Sequence, residues 1–422
     1  MNRLTWKNVD ELAGSCDTTF TNTLKRKGEQ IMWKKLAVPI MLGAALISFS
    51  AHAESKTFAD STSHWAKESI QKAVGKGYVD GYEDLTFRPD MSVTRAEFVK
   101  MAVTALKLKV SGSTSGTDWY LPYVNAAVQA GIHRWSDFST GDWNTPITRQ
   151  EMARMIVRAT DKELQKEDVK KTDSELLYLA AKAGLIQGLS GGELGEGEAT
   201  TRAQSVTVIE RILTVNGGGN LEVDKYAVNR AELAWHKTNI FTVMPQFFMK
   251  LHSSSKWNPD DMFVETSDGL YRGELDALVA IDLDDPNDPN RQLVNLSDLK
   301  WLNLATSKVQ PVSDINEAYL LYFKGRVVFN RDTNIYSNTK EYVLFSLIGF
   351  EFERDEAKKG NMVSFAPTTY RDFNNGIFPG IVISKKVKTD DSLFIEIRSS
   401  AIPPNPTYSK TLLWANPIKQ NR

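Results

Sequence analysis

The sequence predicts a multidomain α+β protein with a helical first half and a β-rich second half. Three observations lead to this prediction. A unit of helix, loop and helix recurs three times between residues 57 and 216. Beyond about residue 240, short runs of Val, Ile, Phe and Tyr alternate with turn residues, as in β-strands. The glycine-rich residues 216–220 separate the two patterns and predict a flexible boundary.

The beginning of the chain predicts export. Residues 32–53 combine Lys34 and Lys35 with an apolar core and small residues up to Ala53, which is typical of a secretory signal peptide. The apolar core, residues 36–51, is shorter than the roughly 20 residues that span a bilayer, so we favour a signal peptide over the alternative, a membrane anchor. We interpret residues 1–31 as a wrongly assigned upstream extension. The only cysteine, Cys16, lies there, so we expect no disulfide in the exported chain.

The charge balance excludes one class of partner. The chain has 51 basic and 52 acidic residues, a net charge of -1, so no basic excess indicates nucleic-acid binding. Nothing after residue 53 is apolar enough to cross a membrane, so we do not expect an integral membrane protein once the signal peptide is removed. We expect a secreted protein of the cell wall or cell surface.

The internal repeat is defined by fixed offsets between a few residue types. Arg95, Arg149 and Arg202 follow one another at intervals of 54 and 53 residues. A glycine stands 18 residues before each arginine, and a tryptophan stands 12 residues before each of the first two glycines: Gly77, Gly131, Gly184, Trp65 and Trp119, with Thr172 in the third copy. We therefore predict repeats at residues 57–110, 111–164 and 165–216.

Each repeat contains the signals that end one helix and begin the next. The glycines predict left-handed caps that end the first helix of each unit. Thr94, Thr148 and Thr201 predict N-caps, because Glu97, Glu151 and Gln204 follow at the position that completes a capping box. A unit of about 50 residues is marginal alone, so we expect the three units to pack together with pseudo-threefold symmetry.

The capping box leaves the arginine unexplained. We expect this side chain to point outward at the first turn, where the helix N-terminus is already partly positive. A guanidinium beside free helix amides is suited to an anion. The alternative is a salt bridge from each arginine to a carboxylate of the neighbouring unit.

Residues 57–98 closely resemble the S-layer homology domain of Gram-positive bacteria. The shared features are the Phe-x-Asp opening, His-Trp-Ala, Gly-Tyr-x-Asp-Gly, Thr-Phe-Arg-Pro and Thr-Arg-Ala-Glu, which stand at residues 58–60, 64–66, 77–81, 86–89 and 94–97. Three copies in tandem are the usual arrangement in this family. The resemblance covers roughly residues 57–215.

The resemblance implies non-covalent anchoring to an acidic secondary cell-wall polysaccharide that commonly carries a pyruvate ketal. It implies binding grooves between neighbouring units, with these residues involved: Asp60, Trp65, Gly81, Thr94, Arg95, Trp119, Thr148, Arg149, Thr201 and Arg202. The arginines would pair with the ketal carboxylate and the tryptophans would stack on sugar rings. For each tryptophan, packing in the core is the alternative. Self-association in a surface lattice is a further implied possibility.

The copies differ from one another. The second lacks the Phe-x-Asp opening, and its loop departs from the pattern. The third has Thr172 for the tryptophan and Gln204 for the glutamate, although Gln still serves a capping box. We therefore expect the groove of the third copy to be the least suited to binding.

The rest of the chain divides into a linker with a helix, residues 217–240, and a β-rich domain, residues 241–422. We predict a barrel or a sandwich, with strands in residues 318–330, 341–353, 380–387 and 392–400. Residues 368–380 and 402–409 are predicted loops. We recognise no family resemblance in this half.

No catalytic motif and no cofactor-binding motif is found in the sequence, so we do not expect an enzyme. Glu351, Glu353 and Asp355 alternate, and along a strand they would share one face, either as a solvated surface or as catalytic carboxylates. Asp282, Asp284 and Asp288 are a candidate calcium site or a solvated acidic loop. The sequence favours a wall anchor that displays a structural or adhesive domain. The alternative is a wall-anchored hydrolase with its catalytic site in residues 241–422.

Overall fold

A computed structural model of the chain describes residues 57–138, 142–248, 257–361, 364–370 and 376–415. The predicted signal peptide, the upstream extension and Cys16 lie outside these residues. The α-helices are α1 (Lys67–Gly75), α2 (Arg95–Ala105), α3 (Leu121–Gln129), α4 (Arg149–Thr160), α5 (Lys162–Gln165), α6 (Asp173–Lys182), α7 (Arg202–Asn216), α8 (Lys225–His236), α9 (Ile240–Val243), α10 (Pro245–Phe248) and α11 (Arg354–Lys358).

Helices α1 to α7 form three units of helix, loop and helix, and their ends follow the predicted signals. Gly77, Gly131 and Gly184 have φ of 73°, 71° and 70°, in the left-handed region that favours glycine after a helix. A complete capping box is present at the start of α2, α4 and α7. The glycines and capping boxes therefore place the loop of each unit between two fixed helix ends.

Short extended segments before α2, α4 and α7 join the three units in a closed ring of hydrogen bonds. The Val93 amide donates to the Thr200 carbonyl at 2.9 Å, the Thr200 amide to the Ile147 carbonyl at 2.8 Å, and the Ile147 amide to the Val93 carbonyl at 2.9 Å. All three side chains of the ring are buried. Each unit is thus held by both of the others, and one apolar cluster spans all three.

The second half contains two antiparallel sheets. The strands are β1 (Phe263–Glu265), β2 (Tyr271–Asp282), β3 (Leu299–Leu302), β4 (Val309–Pro311), β5 (Ala318–Asn330), β6 (Leu344–Phe350), β7 (Phe365–Tyr370), β8 (Ile377–Ser384), β9 (Thr389–Arg398) and β10 (Ser409–Ala415). One sheet has the order β1-β2-β5-β8-β7-β3-β4, and the other has the order β10-β9-β6.

The central part of the larger sheet is buried on both faces, since successive side chains of a strand point to opposite faces and an apolar cluster lies against each face. On β2, Leu278 and Ala280 belong to a cluster that also contains Ile395 and Ile397 of the smaller sheet. Val279 and Ile281 face a separate cluster on the other side. The two sheets therefore share a core, as the sandwich alternative requires.

The predicted strands correspond to β5, β6, β8 and β9, and β5 has the predicted bounds. The β-rich pattern does not begin at residue 240 in the structure, because residues 240–248 are helical, in α9 and α10, and the first strand of the described residues is β1, from Phe263. Residues 368–370 belong to β7, and β8 begins at Ile377, so the predicted loop over residues 368–380 is shorter, although its residues 371–375 lie outside the described chain.

Helix α8 packs against both halves. Its Ala227, Val228 and Ala231 belong to the apolar cluster of the three units, whereas Leu233 packs against a cluster of the larger sheet. A buried amide network extends this contact, because Asn239 donates to Asn229 at 2.8 Å and to the Ala280 carbonyl of β2 at 2.8 Å. Residues 225–236 therefore form part of both cores.

Candidate functional site

From the sequence we expected the three arginines that follow the N-caps to point outward. The structure shows that they are buried instead. Arg95, Arg149 and Arg202 are only 6%, 4% and 8% exposed. The extended ring segments cover the first turn of each helix, so the side chain at this position meets the loop of another unit instead of water. The amide of each arginine already donates to that neighbour, to the carbonyls of Thr145, Glu198 and Met91.

Each guanidinium then bonds to the neighbouring loop. Arg149 donates to the carbonyls of Leu194 at 2.7 Å and Gln187 at 2.8 Å. Arg202 donates to the carbonyls of Phe87 and Asp80, both at 2.9 Å. These bonds fix the loops that surround the arginines, and they use only part of the five N–H donors of each guanidinium.

Arg95 differs because a carboxylate meets it. Its guanidinium forms a buried ion pair with Glu151 of the second unit and also donates to the Asp142 carbonyl at 3.1 Å. The alternative of a salt bridge to a neighbouring unit therefore describes Arg95. For Arg149 and Arg202, the partners within the described residues are carbonyl oxygens.

One cavity of about 310 Å³ brings residues of all three units together. It is lined by Trp65, Arg149, Ile186, Gln187, Gly188, Leu189, Gln204, Thr207, Val208 and Arg211. Trp65 comes from the first unit and Arg149 from the second. The loop and helix α7 of the third unit supply the rest. Two predicted site residues, Trp65 and Arg149, thus lie at one cavity.

The cavity is positively charged. Arg211 donates to the side-chain oxygen of Gln187 at 2.8 Å and to the Leu185 carbonyl at 3.3 Å. Burial lowers the pKa of the Arg149 guanidinium; Glu198 opposes this shift, and nearby Arg211 adds to it. Within the described residues, neither arginine forms an ion pair. Two cations therefore line one cavity without an ion pair, while the carboxylates of Glu198 and Glu196 act on Arg149 from beyond ion-pair distance.

From the sequence we did not identify three of the residues that line this cavity: Gln187, Thr207 and Arg211. A signal was present, because Gln204, Thr207, Val208 and Arg211 have the i, i+3, i+4, i+7 spacing of one helix face. That spacing also fits a buried stripe, so the sequence alone did not separate a binding face from a core face.

The tryptophan position differs among the units. Trp65 is 65% exposed, with its ring beside His64. Trp119 is half-buried against Tyr120 and Tyr123, with the Lys100 ammonium 5.4 Å from its ring centre. Thr172 is the N-cap of α6. Only Trp65 therefore offers a largely free indole face.

The other predicted site residues hold the backbone of the loops and helix ends in place. The Asp60 carboxylate accepts from the amides of Phe87 and Arg88, at 2.9 and 2.7 Å. Gly81 lies against the Phe58 ring, so that a Cβ would clash with it, and the turn of this loop lies at residues 83–84. Thr94, Thr148 and Thr201 accept the N3 amides of their helices. These side chains support the loops around the arginines.

The groove beside Arg95 contains ion pairs of its own. Asp137 pairs with Arg158 at 2.6 Å, and Asp173 pairs with Arg154 at 2.7 Å. Arg95, Arg154 and Arg158 therefore each have a carboxylate partner, whereas the Arg134 guanidinium donates to the carbonyls of Leu164, Lys166 and Val169. This groove is therefore unlike the cavity of Arg149.

The structure gives both groups of carboxylate candidates in the second half other surroundings than a shared site. The Lys385 ammonium contacts Asp282 at 2.6 Å and Asp284 at 2.8 Å, while Asp288 accepts the amides of Asp282 and Asn290. No group of three His, Cys, Asp or Glu residues in the described chain could hold a metal. Strand β6 ends at Phe350, and Asp355 lies in α11, so Glu351, Glu353 and Asp355 do not share a strand face.

Comparison with known proteins agrees with the resemblance of the first unit. Residues 57–99 match the family model "S-layer homology domain", so the chain contains an S-layer homology domain. It is 26% identical over 208 residues to the surface-layer 125 kDa protein of Lysinibacillus sphaericus, covering 46% of this chain and 18% of that protein. It is 46% identical over 48 residues to the cellulosome-anchoring protein of Acetivibrio thermocellus, covering 11% of each chain.

Similarity extends to an enzyme. The chain is 29% identical over 188 residues to the amylopullulanase of Thermoanaerobacterium thermosulfurigenes, covering 40% of this chain and 10% of that protein. The chain spans less than a fifth of the length of these relatives. The domain and the surface-layer relatives identify a secreted, cell-surface protein. In the described part of the chain, no helix has the length and apolar character needed to cross a membrane.

Proposed function

We propose that residues 57–110, 111–164 and 165–216 are three S-layer homology domains that form one pseudo-threefold anchor. The anchor binds an acidic secondary cell-wall polysaccharide and holds residues 241–422 at the cell surface. Binding is an equilibrium process without a chemical step. Self-association in a surface lattice is compatible with this role.

The single observation that supports this proposal is the cavity with Arg149 and Arg211. Two guanidiniums that form no ion pair within the described residues attract an anion, and burial strengthens their interaction with it. The exposed indole of Trp65 at the same cavity supplies a flat apolar face for a sugar ring. An acidic sugar satisfies both features, and a pyruvate ketal places a carboxylate on the ring itself.

The three grooves are expected to bind unequally. The groove of Arg95 is neutralised by carboxylates of the protein, so an acidic ligand would have to displace Glu151. In the groove of Arg202, the arginine has carbonyl partners and Trp119 is half-buried. We propose that the cavity of Trp65, Arg149 and Arg211 is the principal site.

We propose a structural or adhesive role, without catalysis, for residues 241–422. The amylopullulanase relative leaves a hydrolase as the second candidate. Incubation of the full-length secreted protein with purified peptidoglycan and wall glycans distinguishes the two. Release of reducing ends would identify a hydrolase.

Two substitutions test the anchor site with little risk to the fold. Trp65→Ala truncates an exposed side chain, and Arg211→Gln removes a charge while keeping a hydrogen-bonding group. Arg211→Gln should weaken binding to the purified wall polysaccharide by roughly tenfold or more, since a charge-assisted hydrogen bond contributes about 1.5–3 kcal/mol. Trp65→Ala should also weaken it, because the flat apolar face for a sugar ring is lost. Trp135→Ala is the matched control, because Trp135 is 56% exposed and does not line this cavity. Unchanged affinity in both test variants would exclude this cavity as the site.

A further inference from the structure

We propose that Gln187 determines the charge specificity of the cavity of Trp65, Arg149 and Arg211, so that this cavity selects an acidic saccharide over an uncharged one. The inference rests on the anchor site proposed above and assigns its selectivity to one residue in the loop of the third unit. The main-chain carbonyl of Gln187 accepts from Arg149 at 2.8 Å, and its side-chain oxygen accepts from Arg211 at 2.8 Å. One neutral residue therefore holds both guanidiniums that line the cavity.

The second unit has the same helix arginine with an acidic partner. Arg158 and Arg211 each stand nine residues after the arginine that follows the N-cap, so they occupy equivalent places on α4 and α7. Arg158 pairs with the buried Asp137 at 2.6 Å, and such a pair cancels most of the attraction for a further anion. Arg211 meets the Gln187 carboxamide instead, which orients the guanidinium without neutralising it. The choice between a carboxylate and a carboxamide at this contact therefore decides whether the arginine can attract a ligand.

The place of Gln187 in its loop is compatible with an acidic side chain. Gln187 and Asp80 each stand three residues after the left-handed glycine that follows the first helix of their unit. Their carbonyls accept from equivalent arginines, Arg149 at 2.8 Å and Arg202 at 2.9 Å. The side chain of Gln187 is only half-buried. Gln187→Glu is therefore expected to fold and to change the charge of the cavity alone.

A carboxylate at position 187 would lie within hydrogen-bond distance of the Arg211 guanidinium. It would form a charge-assisted pair there, and an acidic ligand would have to compete with that pair. An uncharged saccharide meets no such competition, because its contact with the exposed indole of Trp65 does not depend on the sign of the charge. The substitution should therefore weaken binding of an acidic ligand and leave binding of an uncharged ligand nearly unchanged.

Isothermal titration calorimetry of the full-length secreted protein with two forms of one polymer tests the proposal. The probes are secondary polysaccharide purified from Gram-positive cell walls, and the same polysaccharide after its carboxyl groups have been reduced to alcohols. Wild type should prefer the acidic form by roughly tenfold or more, the effect of a charge-assisted hydrogen bond. At pH 7, Gln187→Glu should bind the acidic form at least roughly tenfold more weakly than wild type does, and it should bind the two forms about equally.

Two further variants separate the charge from the hydrogen bond and from a general change in the protein. Gln187→Met loses the bond to Arg211 without adding a charge, so it should weaken binding less than Gln187→Glu does and keep the preference for the acidic form. Gln129→Glu adds the same charge at an exposed position of α3, outside this cavity, and should bind as wild type does.

The proposal is overturned if Gln187→Glu keeps the preference of wild type, or if it loses affinity for both forms by the same factor, which a structural defect would cause. It is also overturned if Gln187→Met or Gln129→Glu loses the preference as fully as Gln187→Glu does. If Arg211→Gln weakens binding of the acidic form and Gln187→Glu does not, the anchor site stands and this inference alone fails. If wild type binds neither form, the proposed function itself fails, and this inference fails with it.

Discussion

Arg95, Arg149 and Arg202 occupy the same place in three similar units, yet their environments differ. A carboxylate neutralises Arg95, whereas carbonyl dipoles surround Arg149 and Arg202. Carbonyl groups orient a guanidinium without cancelling its charge. The same residue can therefore join two units at one place and attract a ligand at another.

Arg95→Ala should act on stability. Removing one member of a buried ion pair leaves Glu151 as an uncompensated charge, which typically costs about 3–5 kcal/mol. Urea denaturation should show this loss. The double variant Arg95→Met/Glu151→Gln should recover most of it, because no charge remains buried and Gln can still complete the capping box of α4, as Gln204 does in α7. A loss of less than about 1 kcal/mol in Arg95→Ala, the range of exposed pairs, would contradict the burial described here.

Glu232 and His236, one turn apart on α8, are buried titratable groups. Burial raises the pKa of Glu232 to about 7, although hydrogen bonds from Thr242 and the amide of Phe241 oppose the shift. Burial also lowers the pKa of His236 to about 4, and Lys182 acts in the same direction. Within the described residues, one carboxylate oxygen of Glu232 and Nδ1 of His236 have no hydrogen-bond partner.

These two shifts have opposite effects on stability. Glu232 stabilises the fold fully below its ordinary pKa of 4.5, and this contribution is lost as the pH rises through 7. His236 stabilises the fold above its ordinary pKa of 6.5, and this contribution is lost as the pH falls through 4. Between pH 4.5 and 6.5 the two slopes largely cancel.

Glu232→Gln should therefore reveal the pH dependence of stability that the two opposite contributions conceal in wild type. At pH 4 the variant should resemble wild type. At pH 8 it should be more stable by up to about 3 kcal/mol, since each unit of pKa shift corresponds to about 1.4 kcal/mol. Urea denaturation at pH 4, 6 and 8 measures the difference, with the exposed Glu222→Gln as control. A difference that does not change with pH would contradict the buried, raised-pKa state of Glu232.

At the scale of the elements, the glycine caps have unequal surroundings. A Cβ at Gly77 would meet no atom within 4 Å. A Cβ at Gly184 would lie 2.8 Å from the Glu222 carbonyl and 2.9 Å from Leu221. The first glycine is therefore needed for its φ alone, and the third is needed for φ and for close packing.

Gly184→Ala should destabilise the protein more than Gly77→Ala. A left-handed conformation costs a residue with a Cβ about 1–2 kcal/mol, and both variants incur this cost. Gly184→Ala must in addition displace the segment that leads to α8. Thermal unfolding of the two variants compares them directly. Equal losses would show that the segment before α8 does not pack against this helix end.

The elements were predictable where local chemistry decides them. The capping boxes and left-handed glycines are short-range signals, so α2, α4 and α7 begin where predicted. Strand β2 was not recognised, because Gly273, Glu274 and Asp276 interrupt its apolar pattern and its stability comes from pairing with β5. Residues 240–248 are apolar and short, and such runs do not distinguish helix from strand.

At the scale of the whole molecule, α8 connects the two halves through buried contacts. The side chain of Asn239 donates to Asn229 and to the Ala280 carbonyl, and it accepts from the Ala280 amide at 2.7 Å. Asn239 is fully buried, so each lost bond leaves a desolvated polar group.

Asn239→Ala should weaken this connection. The loss should be about 1–3 kcal/mol or more, because the Ala280 amide and carbonyl lose partners in a buried place. Differential scanning calorimetry should show a lower transition temperature for the β-rich half. If the variant unfolds at the wild-type temperature, the amide network does not contribute to stability.

The site was predictable only in part, because the packing of the three units decides which residues meet. Trp65 and Arg149 were predicted from their motifs, but their meeting at one cavity depends on how the ring closes. Arg211 and the loop of residues 186–189 come from the third unit, whose sequence departs most from the pattern. Our expectation that the groove of the third copy is the least suited to binding stays a prediction. The proposed principal site departs from it, because the loop and helix α7 of that copy line this cavity.

The most direct test of the central claim is co-sedimentation of the secreted protein with purified cell walls, before and after acid removal of the secondary polysaccharide. We predict that wild type sediments with intact walls and not with stripped walls. Arg211→Gln should sediment less with intact walls, and less still as salt rises, because screening weakens attraction between charges. Equal sedimentation of wild type with intact and stripped walls would contradict the claim that the helical half recognises an acidic polysaccharide.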